Sequence, residues 1–127
     1  MPATRIFMNR WFTRYVRKQR ITAAMLCEVI ERAEGGVVDA DLGSGLIKQR
    51  LARPGAGRSG GYRTLIAFRS GDMAVFLFGF AKSGQDNLEL DELTNYLKLS
   101  VELLGLDDGQ IAELVALGRW KLVDCVN

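Results

Sequence analysis

The chain has 127 residues, 48% of them apolar and 25% charged, with a formal net charge of +2. These figures exclude a disordered chain and bound the fold to one domain with an ordinary core. Histidine is absent, and the two cysteines, Cys27 and Cys125, lack metal-ligand spacing, which removes the usual general base and the commonest metal sites.

In chain order, Arg5 to Met8 reads as a short first strand. Asn9 can cap a helix over residues 10–19, where Trp11, Phe12, Tyr15 and Val16 form an apolar stripe opposite Arg10, Arg14, Arg17 and Lys18. Thr22 caps a second helix over 23–34, with Leu26, Val29, Ile30 and Ala33 inward and Gly35-Gly36 as its stop. Trp11, Phe12, Tyr15, Leu26 and Ile30 are the expected core of this half. Residues 37–45 read as a loop, with a short strand left open at Val37–Asp39. Strands follow over about 46–52, 62–69 and 73–82, the last two joined by a tight turn at Ser70-Gly71-Asp72. Asp86 and Glu89 form a capping-box pair for a long helix with the stripe Leu90, Leu93, Leu97, Val101 and Leu104. Gly105 ends it, Asp107 with Gln110 caps a further helix, and Gly118 ends that one. The tail from Arg119 is apolar enough to dock and too short to place.

The order βαα-βββ-αα predicts an α+β fold in a single domain: a mostly antiparallel sheet carrying a helical hairpin, with extra C-terminal helices. The core is expected over about 5–105 and a helical extension over about 106–127. The longest apolar run, Met73 to Ala81, is far too short to span a bilayer. No secretory signal is expected, and the Arg-rich, acid-poor start has the aromatic spacing of a folded helix rather than of a transit peptide. Both cysteines are therefore expected as reduced thiols in a cytoplasmic protein.

The net charge hides a partition. Residues 1–27 carry +6, 28–41 carry −4, 42–71 carry +6 with no acid at all, and 83–127 carry −6. Such asymmetry suits a polyanion on one side of the molecule, although a dipolar, solvated surface is the alternative. Within the basic stretch, Gly55 to Gly60 matches G-x-G-x-x-G. A dinucleotide loop must open a helix, whereas strand-like Tyr62–Phe68 follows here, and Gly61 stands where a phosphate-binding loop needs Lys. The glycines serve a hairpin.

Alternation along a strand puts Lys48 and Arg50 on one face, about 7 Å apart. A hairpin centred near Gly57 sets Arg50 opposite Arg63, and the next hairpin brings Arg63 near Gly79 and Lys82 beside Gly60 and Gly61. Lys48, Arg50, Arg58, Arg63 and Lys82 then gather at one end of the sheet. Like charges opposite one another destabilise a sheet, and no local acid is expected to relieve them. Solvated edge charges are one reading; a bound polyanion or an acidic partner is the other. Tyr62 is expected to face the core. Chemistry built from Arg and Lys, with Tyr62 as a further candidate, suits RNA, whose 2′-hydroxyl is a built-in nucleophile. The protein then need only align the chain and neutralise the phosphorane. Positive neighbours favour a lysine's neutral form, which makes Lys48 or Lys82 the candidate general base.

The stretches "KQRLARPGAGRSGGYRTLIAFR" and "FGFAKSGQDNLELDEL", with the N-terminal "F…WF" and "VDADLGSGLIKQR", resemble the RelE/ParE superfamily of type II toxin–antitoxin toxins, in particular its RelE-like, HigB-type branch. The resemblance implies an antiparallel sheet with a helical hairpin and a ribosome-dependent mRNA endoribonuclease that inhibits translation, with no cofactor and no metal. It also implies a cognate antitoxin, of helix-turn-helix type, and contact with ribosome and mRNA rather than membrane. Carried over singly, the catalytic residues fall on Lys48, Arg50, Arg63 and Lys82. Arg53, Arg58, Gly60 and Gly61 fall in the substrate-binding hairpin. Gly84 and Gln85 stand where relatives carry a charged pair, and Leu88 and Glu89 where some carry an aromatic. The antitoxin is expected to bury apolar toxin surface and to bring carboxylates to, or beside, the basic cluster. The alternatives are a non-catalytic toxin of this fold acting on a protein such as gyrase, and a plain nucleic-acid-binding module.

Overall fold

The structure, a computed structural model, describes residues 4–52, 61–81 and 89–125. Strand β1 (Arg5–Asn9) leads into helices α1 (Arg10–Gln19) and α2 (Ala23–Glu34). Strands β2 (Ala40–Gly43), β3 (Leu46–Leu51), β4 (Tyr62–Arg69) and β5 (Met73–Ala81) follow, then α3 (Leu90–Leu104), α4 (Asp108–Ala116) and β6 (Trp120–Val123). The sheet order is β2-β3-β4-β5-β1-β6, and β1–β5 is its one parallel pairing among the described residues. This is the expected α+β fold with two added strands.

Local chemistry explains the helix starts. The Asn9 side chain accepts the Phe12 N–H at 2.8 Å, Thr22 accepts the Met25 N–H at 3.2 Å, and Asp107 and Gln110 cap each other's backbone. Helix α3 differs from expectation: Glu89 is its N-cap without a side-chain bond rather than its third residue, and Asp86 lies outside the described residues.

The sheet separates two apolar layers. Phe12, Leu26, Val29, Ile30 and Ala33 of the first helices pack on Ile47, Leu51, Tyr62, Ile66 and Phe76. On the other face α3 and α4 cover Phe7, Leu46, Leu65, Ala67, Val75 and Leu77. Gly79 lets α1 close on the sheet, since a Cβ there would lie 2.8 Å from the Tyr15 ring. Trp11, expected inward, is instead 36% exposed, because it sits where α1 rides over the end of β5. The α3 stripe is also rotated. Leu90 and Val101 are exposed, while Tyr96 and Ser100 join Leu93, Leu97 and Leu104 against the sheet. Regular i, i+3, i+4 spacing fixes the period of a helix and leaves its phase to the surface it meets.

The cysteines correct a further expectation. Cys27 and Cys125 form a disulfide with Cα atoms 5.9 Å apart. The tail could not be placed from its sequence; once Val123 pairs with Ile6, β6 delivers Cys125 to α2. None of the helices among the described residues is long and apolar enough to cross a membrane.

Candidate nucleic-acid interface

Strands β3 and β4 pair with Arg50 directly opposite Arg63 and Lys48 opposite Leu65. Leu46, Leu65 and Ala67 belong to the α3–α4 side, so alternation puts Lys48, Arg50 and Arg63 on that face. The next strand continues the row. A bulge at Leu65/Ile66 shifts the register by one, so Arg63 faces Phe80 rather than the expected Gly79, and Leu65 faces Phe78. A bulge re-aims every residue beyond it. Here it turns Phe78 and Phe80, not Gly79, toward the cationic side. Lys48 and Arg63 are half-buried and Arg50 is exposed. Arg53, Arg58, Gly60 and Lys82 lie outside the described residues. Gly61 is buried, and a Cβ on it would lie 2.6 Å from the Leu51 carbonyl oxygen, so a larger residue would force the strands apart.

Among the described residues Lys48, Arg50 and Arg63 make no ion pair. Arg63 Nη1 reaches the Tyr62 carbonyl at 3.4 Å. Contrary to expectation an acid does approach: Asp39 Oδ2 accepts the Arg50 backbone N–H at 2.5 Å and lies 3.9 Å from the Arg32 guanidinium. Arg32 also donates to the Arg50 carbonyl. That carboxylate therefore pins the Arg50 backbone and leaves its guanidinium unmatched. On the opposite face Gln49 is fully buried. Its carbonyl accepts the Asp39 N–H at 2.7 Å and its amide reaches Val37 O at 3.0 Å and Val29 O at 3.4 Å. Thr64 Oγ1 donates to Gln49 O at 3.0 Å. The strand that displays the cations is thus fixed from behind by satisfied buried polar groups.

The aromatic half of this face was missed in the sequence. Phe78 lies 6.0 Å from Phe80, 4.6 Å from Trp11 and 5.7 Å from Tyr96, and Trp11 stacks on Tyr15 at 4.9 Å. Burial, with a smaller contribution from Glu92, pushes the Tyr96 phenol above its ordinary range, which keeps it a hydrogen-bond donor. The close spacing of aromatics in β5 was visible, but their side of the sheet depended on the bulge. Cations beside aromatic rings are the composition that holds single-stranded nucleic acid, phosphates on the former and bases on the latter. Among the described residues no group of three or more His, Cys, Asp or Glu converges as a metal-ligand set.

The family described as the RelE toxin of the RelE/RelB toxin–antitoxin system matches residues 4–123. No curated protein matches the chain.

Proposed function

The chain belongs to the RelE toxin family, the toxins of toxin–antitoxin systems, and from that premise we propose that it is a cytoplasmic endoribonuclease that cuts mRNA on the ribosome until a cognate antitoxin neutralises it. The observation that carries this reading is the row Lys48, Arg50 and Arg63 on one face of the central strands, with Arg50 set against Arg63 and no carboxylate on either guanidinium among the described residues. A sheet tolerates such repulsion when an anion completes it.

In the proposed reaction the 2′-hydroxyl attacks the adjacent phosphorus, the O5′ bond breaks, and a 2′,3′-cyclic phosphate and a free 5′-hydroxyl result. Arg63 and Arg50 hold the non-bridging oxygens, where the charge of the phosphorane develops. Lys48, half-buried beside them, takes the 2′-hydroxyl proton. Lys82 is assigned to the leaving oxygen, and Arg53, Arg58, Gly60 and Gly61 to the substrate strand. The ribosome supplies the alignment that a small rigid sheet lacks.

The test is primer extension on translated messages after induction. Discrete new 5′ ends inside reading frames, lost with Lys48→Ala and suppressed by the helix-turn-helix product of a neighbouring gene, are expected. Intact messages together with arrested DNA supercoiling would replace this reading with the gyrase one. RNA that is bound and never cut would leave a nucleic-acid-binding module.

A further inference from the structure

Far across the sheet from the cationic row, α1, α4 and β6 enclose a groove of about 520 Å³. Arg10, Arg14 and Lys121 line it together with apolar Val115, Trp120 and Leu122, and no acid is among its described lining residues. Val115 is 37% and Leu122 52% exposed, and neighbouring Leu117 is 56% exposed. Arg10 Nε donates to the Gly118 carbonyl at 3.3 Å, which ties α1 to the turn after α4 and holds the groove's shape. Among the described residues Arg10, Arg14 and Lys121 take part in no ion pair. Strand β6 is the last in the sheet, with β1 on one side and nothing paired on the other among the described residues.

We infer that this groove, rather than the cationic row, is the principal docking surface for the antitoxin, and that it receives an extended acidic segment bearing alternate apolar side chains. An unpaired strand edge offers backbone donors and acceptors to an added strand. The exposed Val115, Leu117 and Leu122 supply apolar area, which a protein segment uses and a phosphate backbone does not. The three cations decide the sign of the partner: two copies of this edge would set Lys121 and the two arginines against each other, whereas carboxylates would pair with all three. Docking here leaves the cationic row uncovered by this segment, so neutralisation would act by barring ribosome entry. The inference rests on the antitoxin half of the proposed function and not on cleavage.

The test compares backbone hydrogen exchange in the free chain and in the complex copurified with its antitoxin. The fast-exchanging amides within 120–123 should slow at least tenfold in the complex. Arg14→Glu combined with Lys121→Glu should weaken antitoxin binding at least tenfold while the melting temperature and mRNA cleavage stay unchanged. Protection confined to 48–51 and 62–64, or undiminished binding by the charge-reversed variant, would overturn the inference. So would a short single-stranded RNA that protects 120–123 of the free chain. A chain that cuts no mRNA yet is protected at 120–123 would sink the endoribonuclease reading and leave this one standing.

Discussion

Strand β4 carries an arginine near each end, Arg63 and Arg69, and the two ends are built on opposite terms. At the turn end Arg5 reaches Asp72 at 3.1 Å and Asp108 at 3.0 Å, and Arg69 reaches Asp72 at 2.9 Å. Glu34 accepts the Gly71 N–H at 2.9 Å and the Thr4 hydroxyl at 2.6 Å. The Arg5 guanidinium, helped by Arg69, holds the Asp72 carboxyl below its ordinary range. At the other end Arg50 and Arg63 face each other and neither guanidinium meets a carboxylate among the described residues. Charge that is matched inside the molecule serves the fold; charge left unmatched on a fixed strand is what the proposed function assigns to a ligand.

That contrast is sharpest in its predicted consequences for substitution. Arg63→Ala should slow cleavage on the order of a hundredfold, about 3 kcal/mol of barrier, and should leave the melting temperature level or raise it, because repulsion with Arg50 is relieved. Gln49→Ala, one residue from two of the cations but on the satisfied face, should do the reverse: it strands the Asp39 N–H and two carbonyls and costs about 2 kcal/mol of stability, read by urea denaturation. Tyr62→Phe removes only the hydroxyl that donates to Gln19 at 3.2 Å from a ring that is otherwise buried. It should cost about 1 kcal/mol with cleavage preserved.

Asp72→Asn should have the smallest effect, below about 1 kcal/mol, since exposed ion pairs contribute little. Its pH dependence is the useful part. A carboxyl whose folded-state pKa is lowered contributes stability above its unfolded value, about 3.9, and loses that contribution as pH falls through the folded value. Wild type and variant should therefore differ in melting temperature at pH 7 and converge near pH 2. A gap that persists in acid would mean that Asp72 acts through packing rather than charge.

How much of this was legible in the sequence depended on distance along the chain. Asn9, Thr22 and the Asp107–Gln110 pair act within three residues, and each cap stands where the spacing puts it. Arg50 opposite Arg63 was also readable, because a single hairpin fixes that register. Arg63 opposite Phe80 was not: a bulge inserts one residue without a composition signal and flips the far half of β5. The Cys27–Cys125 bridge and the groove beside β6 depend on Trp120–Val123 pairing with β1, more than a hundred residues away in sequence. A four-residue strand carries too little pattern to announce such a partner. The phase of α3 and the exposure of Trp11 failed for the same reason, since both are set by the surface against which the helix lands.

The central claim is that the unmatched row takes the charge of the reacting phosphate without help from a metal ligand set in the protein. The chain has no histidine and no acid between residues 42 and 71. The most direct measurement is the cleavage rate of a translated mRNA on preassembled ribosome complexes, for wild type and Arg63→Ala. EDTA is added just above the magnesium concentration once the complexes have formed, and ribosome integrity is checked by sedimentation. Wild-type cleavage should continue after chelation and fall about a hundredfold with Arg63→Ala at unchanged melting temperature. Cleavage that stops on chelation while ribosomes stay intact, or that survives Arg63→Ala, would contradict the account.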